Sequence, residues 1–212
     1  MLQKSLHSII PRLALLSAFC VFIEVFRMIF SLHITYIFMP YNLFLAWVPL
    51  WLAMYLKDET RPVHLFIYLS VWLLFFPNAP YMITDLLHLR PLPHCPFWYD
   101  VILFYSYAFT GLMVGIISAL IVFKKMKTLV TPWRARVFML MVMMVSGYGI
   151  YMGRFLQFNS WDLLTNPLQI ISMTISRFIH PTVYARTYGV TLMTGALLSL
   201  VFFIFESIVV TD

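Results

Sequence analysis

Apolar residues dominate six long stretches of the chain, at residues 12–31, 41–56, 63–77, 98–123, 135–153 and 185–209. About 20 such residues carry a helix across a membrane, so the pattern predicts six membrane-spanning helices. A seventh stretch, 168–180, behaves differently. Leu168, Ile171, Ile175, Phe178 and Ile179 line one helical face, and Gln169, Ser176, Arg177 and His180 lie opposite. Too short to span and two-faced, it reads as an interfacial amphipathic or re-entrant helix. Most prolines punctuate span ends, and Pro49 alone falls mid-span, where it removes a backbone donor and kinks the helix.

Composition agrees with that pattern. Of 212 residues, 62% are apolar and 10% charged, where a soluble domain has about 25% charged. The mean hydropathy is +0.90. A soluble enzyme, a nucleic-acid-binding domain and a disordered chain are thereby excluded. Six spans use ~120 residues and leave ~92 for loops and ends, which predicts one all-α polytopic bundle over residues 1–212 with no second, water-soluble domain. The first apolar run has basic flanks at Lys4 and Arg12 and lacks a small-x-small cleavage site, so it is expected to remain as a signal-anchor span. Cys20 in a span and Cys95 in a Pro-rich loop make a poor disulfide pair.

The net charge of +6 sits in short loops and reads as a topology signal. Lys4, Arg12, Lys57, Arg61, Lys124, Lys125, Lys127, Arg134 and Arg136 fall on one side, and Arg90, Arg154, Arg177 and Arg186 on the other. That bias predicts both termini in the cytoplasm, with residues 78–97 and 154–184 outside. Membrane lipids are then the obvious neighbours, and no nucleic acid is expected. Small residues at Gly111 and Gly115, Gly149 and Gly153, and Gly195 and Ser199 mark close helix contacts.

Ionisable groups at membrane depth are expensive, so their positions are informative. Glu24 and Arg27 share a face of the first span and are expected to pair within the helix. Asn78, Tyr81, Thr84, Asp85 and His88 follow the third span, Asp100 opens the fourth, and Arg154 ends the fifth, followed by Asn159, Trp161 and Asp162. Each has a local alternative: Thr84, Asp100 and Asp162 suit helix starts, and Arg154 suits a helix C-terminus. The sharper reading is one outward polar site. Asp85, His88, Asp100 and Asp162 would be its catalytic groups, since a carboxylate beside an imidazole orients a general base or holds a divalent metal such as Mn²⁺, Mg²⁺ or Zn²⁺. Asn78, Tyr81, Arg154, Asn159, Trp161 and Arg177 would bind substrate, the arginines clamping a phosphate or carboxylate. No P-loop, GxGxxG or GxSxG motif is present.

Two blocks, residues 76–89 with PNAPY-x-x-TDL and residues 153–162 with GRF-x-x-x-NSWD, resemble the bacterial membrane-protein family catalogued as domain of unknown function 1361. That resemblance covers nearly the whole chain and implies that the two blocks form one unit; it implies no reaction. Three classes of function are therefore expected: an enzyme acting on a lipid or lipid-linked envelope substrate, a non-catalytic subunit of an envelope complex with a protein partner, or a small transporter. A transporter would favour a midplane site and broken helices, whereas these ionisable groups gather towards one face.

Overall fold

The computed structural model describes residues 2–209, and side chains from residue 8 onward except at Leu164. Lys4, used in the charge count, thus lies outside the described side chains. Among the described residues the chain is helical and has no strand beyond a single isolated bridge, Leu92 with Cys95. The helices are α1 (Leu2–Ser31), α2 (Phe38–Leu56), α3 (Pro62–Phe75), α4 (Asn78–Tyr81), a 3-10 segment (Met82–His88), α5 (Phe97–Leu129), α6 (Pro132–Leu156), α7 (Asp162–Thr165), α8 (Pro167–Ile179) and α9 (Ala185–Val209). Six segments are long and apolar enough to cross a membrane: 8–31, 38–56, 62–88, 97–129, 132–156 and 185–209. The protein is an all-α, multi-pass membrane protein. Exposed Leu15, Phe19, Phe22, Phe26 and Ile29 show the outer face of α1, an apolar surface suited to hydrocarbon.

The core forms around α5, whose apolar positions are buried along most of its length. Leu120, Ile121, Val122 and Phe123 pack with Leu50 and Ala53 of α2, Trp72 of α3, Met139 and Met143 of α6 and Phe202 of α9. The methionines at 139 and 143 are thus ordinary core filler. A second apolar cluster joins Cys20 and Ile23 of α1 to Tyr36, Met39, Met82, Phe104 and Tyr107. Cys20 and Cys95 are both buried free thiols.

Pro49 lies inside α2, where its ring leaves the helix short of one backbone bond. A relay from neighbouring helices meets that stretch. Trp72 Nε1 donates to Ser118 Oγ at 2.7 Å, and Ser118 Oγ donates to the Pro49 carbonyl at 2.9 Å. One hydroxyl therefore joins α2, α3 and α5 with buried polar groups satisfied.

The prolines at 77 and 80 end α3 and turn the chain through α4 into the 3-10 segment. This turn is wedged between two glycine-bearing helices. A methyl group on Gly111 would lie 2.7 Å from the Ala79 carbonyl oxygen, and one on Gly115 would lie 3.0 Å from the Ala79 side chain. On the other flank, Gly149 faces Pro77 at 2.9 Å and Gly153 faces the Tyr81 ring at 3.0 Å. The small-residue stripes of α5 and α6 thus grip the PNAPY turn. Where α6 meets α9, Gly147 has no room for a side chain: a methyl group there would sit 2.5 Å from the Thr191 carbonyl.

The two ends of the bundle differ in chemistry. At one end, Lys125 Nζ donates to the Glu59 carbonyl at 2.5 Å, and Arg136 of α6 pairs with Glu206 of α9 at 2.8 Å. Glu59, in the α2–α3 loop, accepts from the Arg61 guanidinium and from the backbone of Thr60 and Arg61; the Arg61 bonds above all hold its carboxyl down to about 2. The opposite end carries the PNAPY turn, the start of α5 and the end of α6.

Candidate functional site

At that second end, α6 terminates by placing Gln157 in the left-handed region (φ 60°), and Phe158 N–H returns to the Met152 carbonyl at 3.2 Å. The last full turn of α6 thereby presents Arg154 to the 3-10 segment. The segment's tight winding brings Thr84, Asp85 and His88 to the same guanidinium. Arg154 Nε donates to Thr84 Oγ1 at 2.8 Å, Nη1 to His88 Nε2, and Nη2 to Asp85 Oδ1. The guanidinium lies 4.4 Å over the Tyr81 ring. Asn42 of α2 completes the cluster by donating to the other Asp85 oxygen at 3.0 Å.

This geometry fixes the state of each member. Arginine has donors only, so His88 Nε2 must accept; its proton then sits on Nδ1 and the ring is neutral. Asp85 is 1% exposed, and each of its oxygens is bonded, one charge-assisted. The carboxylate is therefore a lock on Arg154, and His88 is the member with its side chain open to the surroundings.

Beside the cluster lies a cavity of about 560 Å³ between α2, α3, α4, α6 and α8. Tyr81 is shared: its ring lies beneath Arg154 and also lines the cavity. Asn42, Asn78, Tyr81, Tyr148, Asn159 and Ser160 supply polar groups to the wall. Leu45, Leu73, Leu74, Val145 and Met152 make the rest chiefly apolar, and among the described residues no charged side chain lines it. Asn78 Nδ2 is held by the Phe75 carbonyl at 3.0 Å and by Ser160 Oγ at 2.9 Å, joining the two sequence blocks. Tyr148 bonds Thr174 of α8 at 2.9 Å and fixes α8 beside the opening.

The other residues singled out in the sequence lie elsewhere. Asp100 is bound by Arg27 through Nε to Oδ1 at 2.6 Å and Nη2 to Oδ2 at 3.2 Å, with both side chains buried. The expected Glu24–Arg27 pair is therefore corrected: Arg27 turns to Asp100, because two parallel bonds suit the planar guanidinium better than one in-helix contact. Both Glu24 oxygens are buried without a hydrogen-bond partner, as are Arg27 Nη1 and the hydroxyls of Tyr36 and Tyr107. Asp162 accepts from Asn159 N–H at 2.7 Å and from the Thr165 hydroxyl at 3.4 Å, a local capping arrangement that leaves it outside the Arg154 cluster. Trp161 is exposed and outside the cavity lining. Arg177 lies two turns along α8 from Ile170, which does line the cavity. Among the described residues, no three His, Cys, Asp or Glu side chains gather as a metal-holding group. Of the proposed catalytic four, only Asp85 and His88 come together.

Sequence reasoning passed over Asn42 and Tyr148. Asn42 lies in α2, 43 residues from its carboxylate partner; a polar amide in an otherwise apolar span was the available signal.

The PNAPY turn, the Arg154 cluster and the GRF-x-x-x-NSWD loop thus make one contiguous structural unit. No curated protein and no solved structure matches the chain. The family model described as Protein of unknown function (DUF1361) matches residues 41–201, which take in that whole unit, and the chain belongs to this family.

Proposed function

We propose that the cavity binds a lipid or lipid-linked envelope molecule at the outer face of a bacterial cytoplasmic membrane. The observation carrying this reading is the division of the cavity wall. Amides and hydroxyls of Asn42, Asn78, Tyr81 and Asn159 suit an uncharged polar head, and Leu73, Leu74 and Met152 suit a hydrocarbon chain. A volume of about 560 Å³ is in the range of ligand sites. Arg154 acts from behind Tyr81 and keeps the wall rigid.

Co-purification tests the proposal. Protein extracted in mild detergent should carry a bound amphiphile detectable by mass spectrometry of the organic extract. Leu74→Trp, which fills the cavity, should lose it while retaining wild-type membrane levels. Equal recovery from both proteins would refute the reading. A second reading, a non-catalytic subunit of an envelope complex, draws on the full engagement of the Asp85 carboxylate by Arg154 and Asn42. Its mark would be a stable protein partner whose retention depends on Arg154 but not on Leu74.

A further inference from the structure

Cationic and donor groups also collect where the end of α8 meets the start of α9, and no acidic side chain pairs with them among the described residues. Arg177 is buried, 8% exposed, and forms no ion pair among the described residues. Its Nη1 donates to the Met173 carbonyl at 2.9 Å, but its Nε is buried without a partner. The guanidinium lies 4.8 Å over the Tyr184 ring, immediately before α9. Tyr188, in the first turn of α9, donates its hydroxyl to the Arg177 carbonyl at 3.0 Å and so fixes this approach.

The start of α9 adds to the charge. Its first turn holds no acidic residue, and although the Tyr184 carbonyl takes the Thr187 N–H at 2.8 Å, no carboxylate answers the positive end of this 25-residue helix. Arg186 in that turn lies over the Phe155 ring at 4.0 Å and also lacks an ion pair among the described residues. Thr187 is buried with no geometric hydrogen bond to its hydroxyl, and the Tyr151 hydroxyl of α6 lies beside it and beside Arg177. Leaving a buried guanidinium unpaired is costly unless an anion or water completes it. Two guanidiniums, a hydroxyl and a helix N-terminus make the donor set that recognises a tetrahedral oxyanion.

We propose that the α8–α9 corner binds a phosphate group, either free or as the headgroup of a phospholipid. This site is separate from the cavity: Ile170 and Arg177 are seven residues apart on α8, about 10 Å along its axis, and the proposal does not rest on the cavity's function.

The test uses the full-length protein purified in lipid-free maltoside micelles. Its thermal stability is followed while inorganic phosphate or dihexanoyl phosphatidic acid is added, with sodium chloride at matched ionic strength as reference. Both Arg177→Gln and Arg186→Gln should weaken the phosphate-dependent stabilisation about tenfold in apparent Kd, whereas Arg90→Gln, at an exposed arginine in another loop, should not. Arg186 is exposed, so its variant reports on binding even where Arg177→Gln fails to fold. Half-saturation by phosphatidic acid far below that of inorganic phosphate identifies a lipid headgroup; comparable or better binding of inorganic phosphate identifies the free ion. The proposal is overturned if neither compound stabilises beyond chloride, or if Arg186→Gln responds as the wild type does.

Discussion

Whereas Asn78, Asp162 and Arg177 also bond within four residues, Arg154 and Asp85 find each other far along the chain. Both are nearly buried, with side-chain exposures of 7% and 1%, and they are joined across 69 residues of sequence. Removing one member strands a charge, at a cost of about 3–5 kcal/mol. Asp85→Asn and Arg154→Ala should each show that loss in chemical denaturation from micelles, and the apolar double variant Asp85→Leu with Arg154→Met should lose much less. Double and single variants of equal stability would show that the two side chains are not coupled. Glu24 makes the opposite prediction. With neither oxygen bonded, Glu24→Gln should stay within about 1 kcal/mol of wild type, whereas Asp100→Ala should cost several, because it leaves Arg27 unpaired. The sequence placed Glu24 and Arg27 on one helical face correctly, but spacing within a helix says nothing of a carboxylate 73 residues away. Long-range pairing was the illegible part at this scale. Asp162 was legible in its other reading, since a capping carboxylate bonds within three residues.

At the scale of elements, the glycines carried more information than their abundance in apolar helices suggests. Gly111, Gly115, Gly149 and Gly153 were readable as contact points, but their partner was not: it is a proline-rich turn rather than another long helix. Gly147 lies outside the GxxxG spacing of Gly149 and Gly153, yet of the glycines between α6 and α9 it has the least room. A Gly147→Ala change drives a methyl group into backbone that cannot move aside, and overpacking of this kind costs about 1–3 kcal/mol. Gly189 in α9 has open space around its Cβ position, so Gly189→Ala should be neutral or stabilise by up to ~1 kcal/mol through helix propensity. Comparing the two variants by thermal unfolding in the same detergent separates packing from propensity; equal effects would argue against the close α6–α9 approach.

For the whole molecule, the hydropathy pattern was sufficient to reveal a helical multi-pass protein, because six apolar helices leave the backbone no other way to satisfy itself in lipid. The third crossing ran further than its apolar run, since the chain continues through α4 and the 3-10 segment to His88. Membrane orientation rests on the charge bias alone, and labelling can test it. Cys95 is a poor reporter: it is 8% exposed, and burial above all raises its thiol pKa, so little thiolate is present. In a Cys95→Ala background, His94→Cys should react with an impermeant maleimide applied to whole cells and Thr128→Cys only after lysis. The reverse pattern would invert the topology.

The central claim is that the cavity beside Tyr81 holds an amphiphile, and in-cell photocross-linking tests it most directly. A benzophenone amino acid at Leu73 lines the cavity, and the same group at Phe66 faces outward from α3, 72% exposed. Mass spectrometry of the adducts should show one class of lipid or lipid-linked molecule enriched at position 73 over position 66, and Asn78→Ala should abolish that enrichment. Adducts of the same bulk-lipid composition at both positions, or none at position 73, would contradict the account.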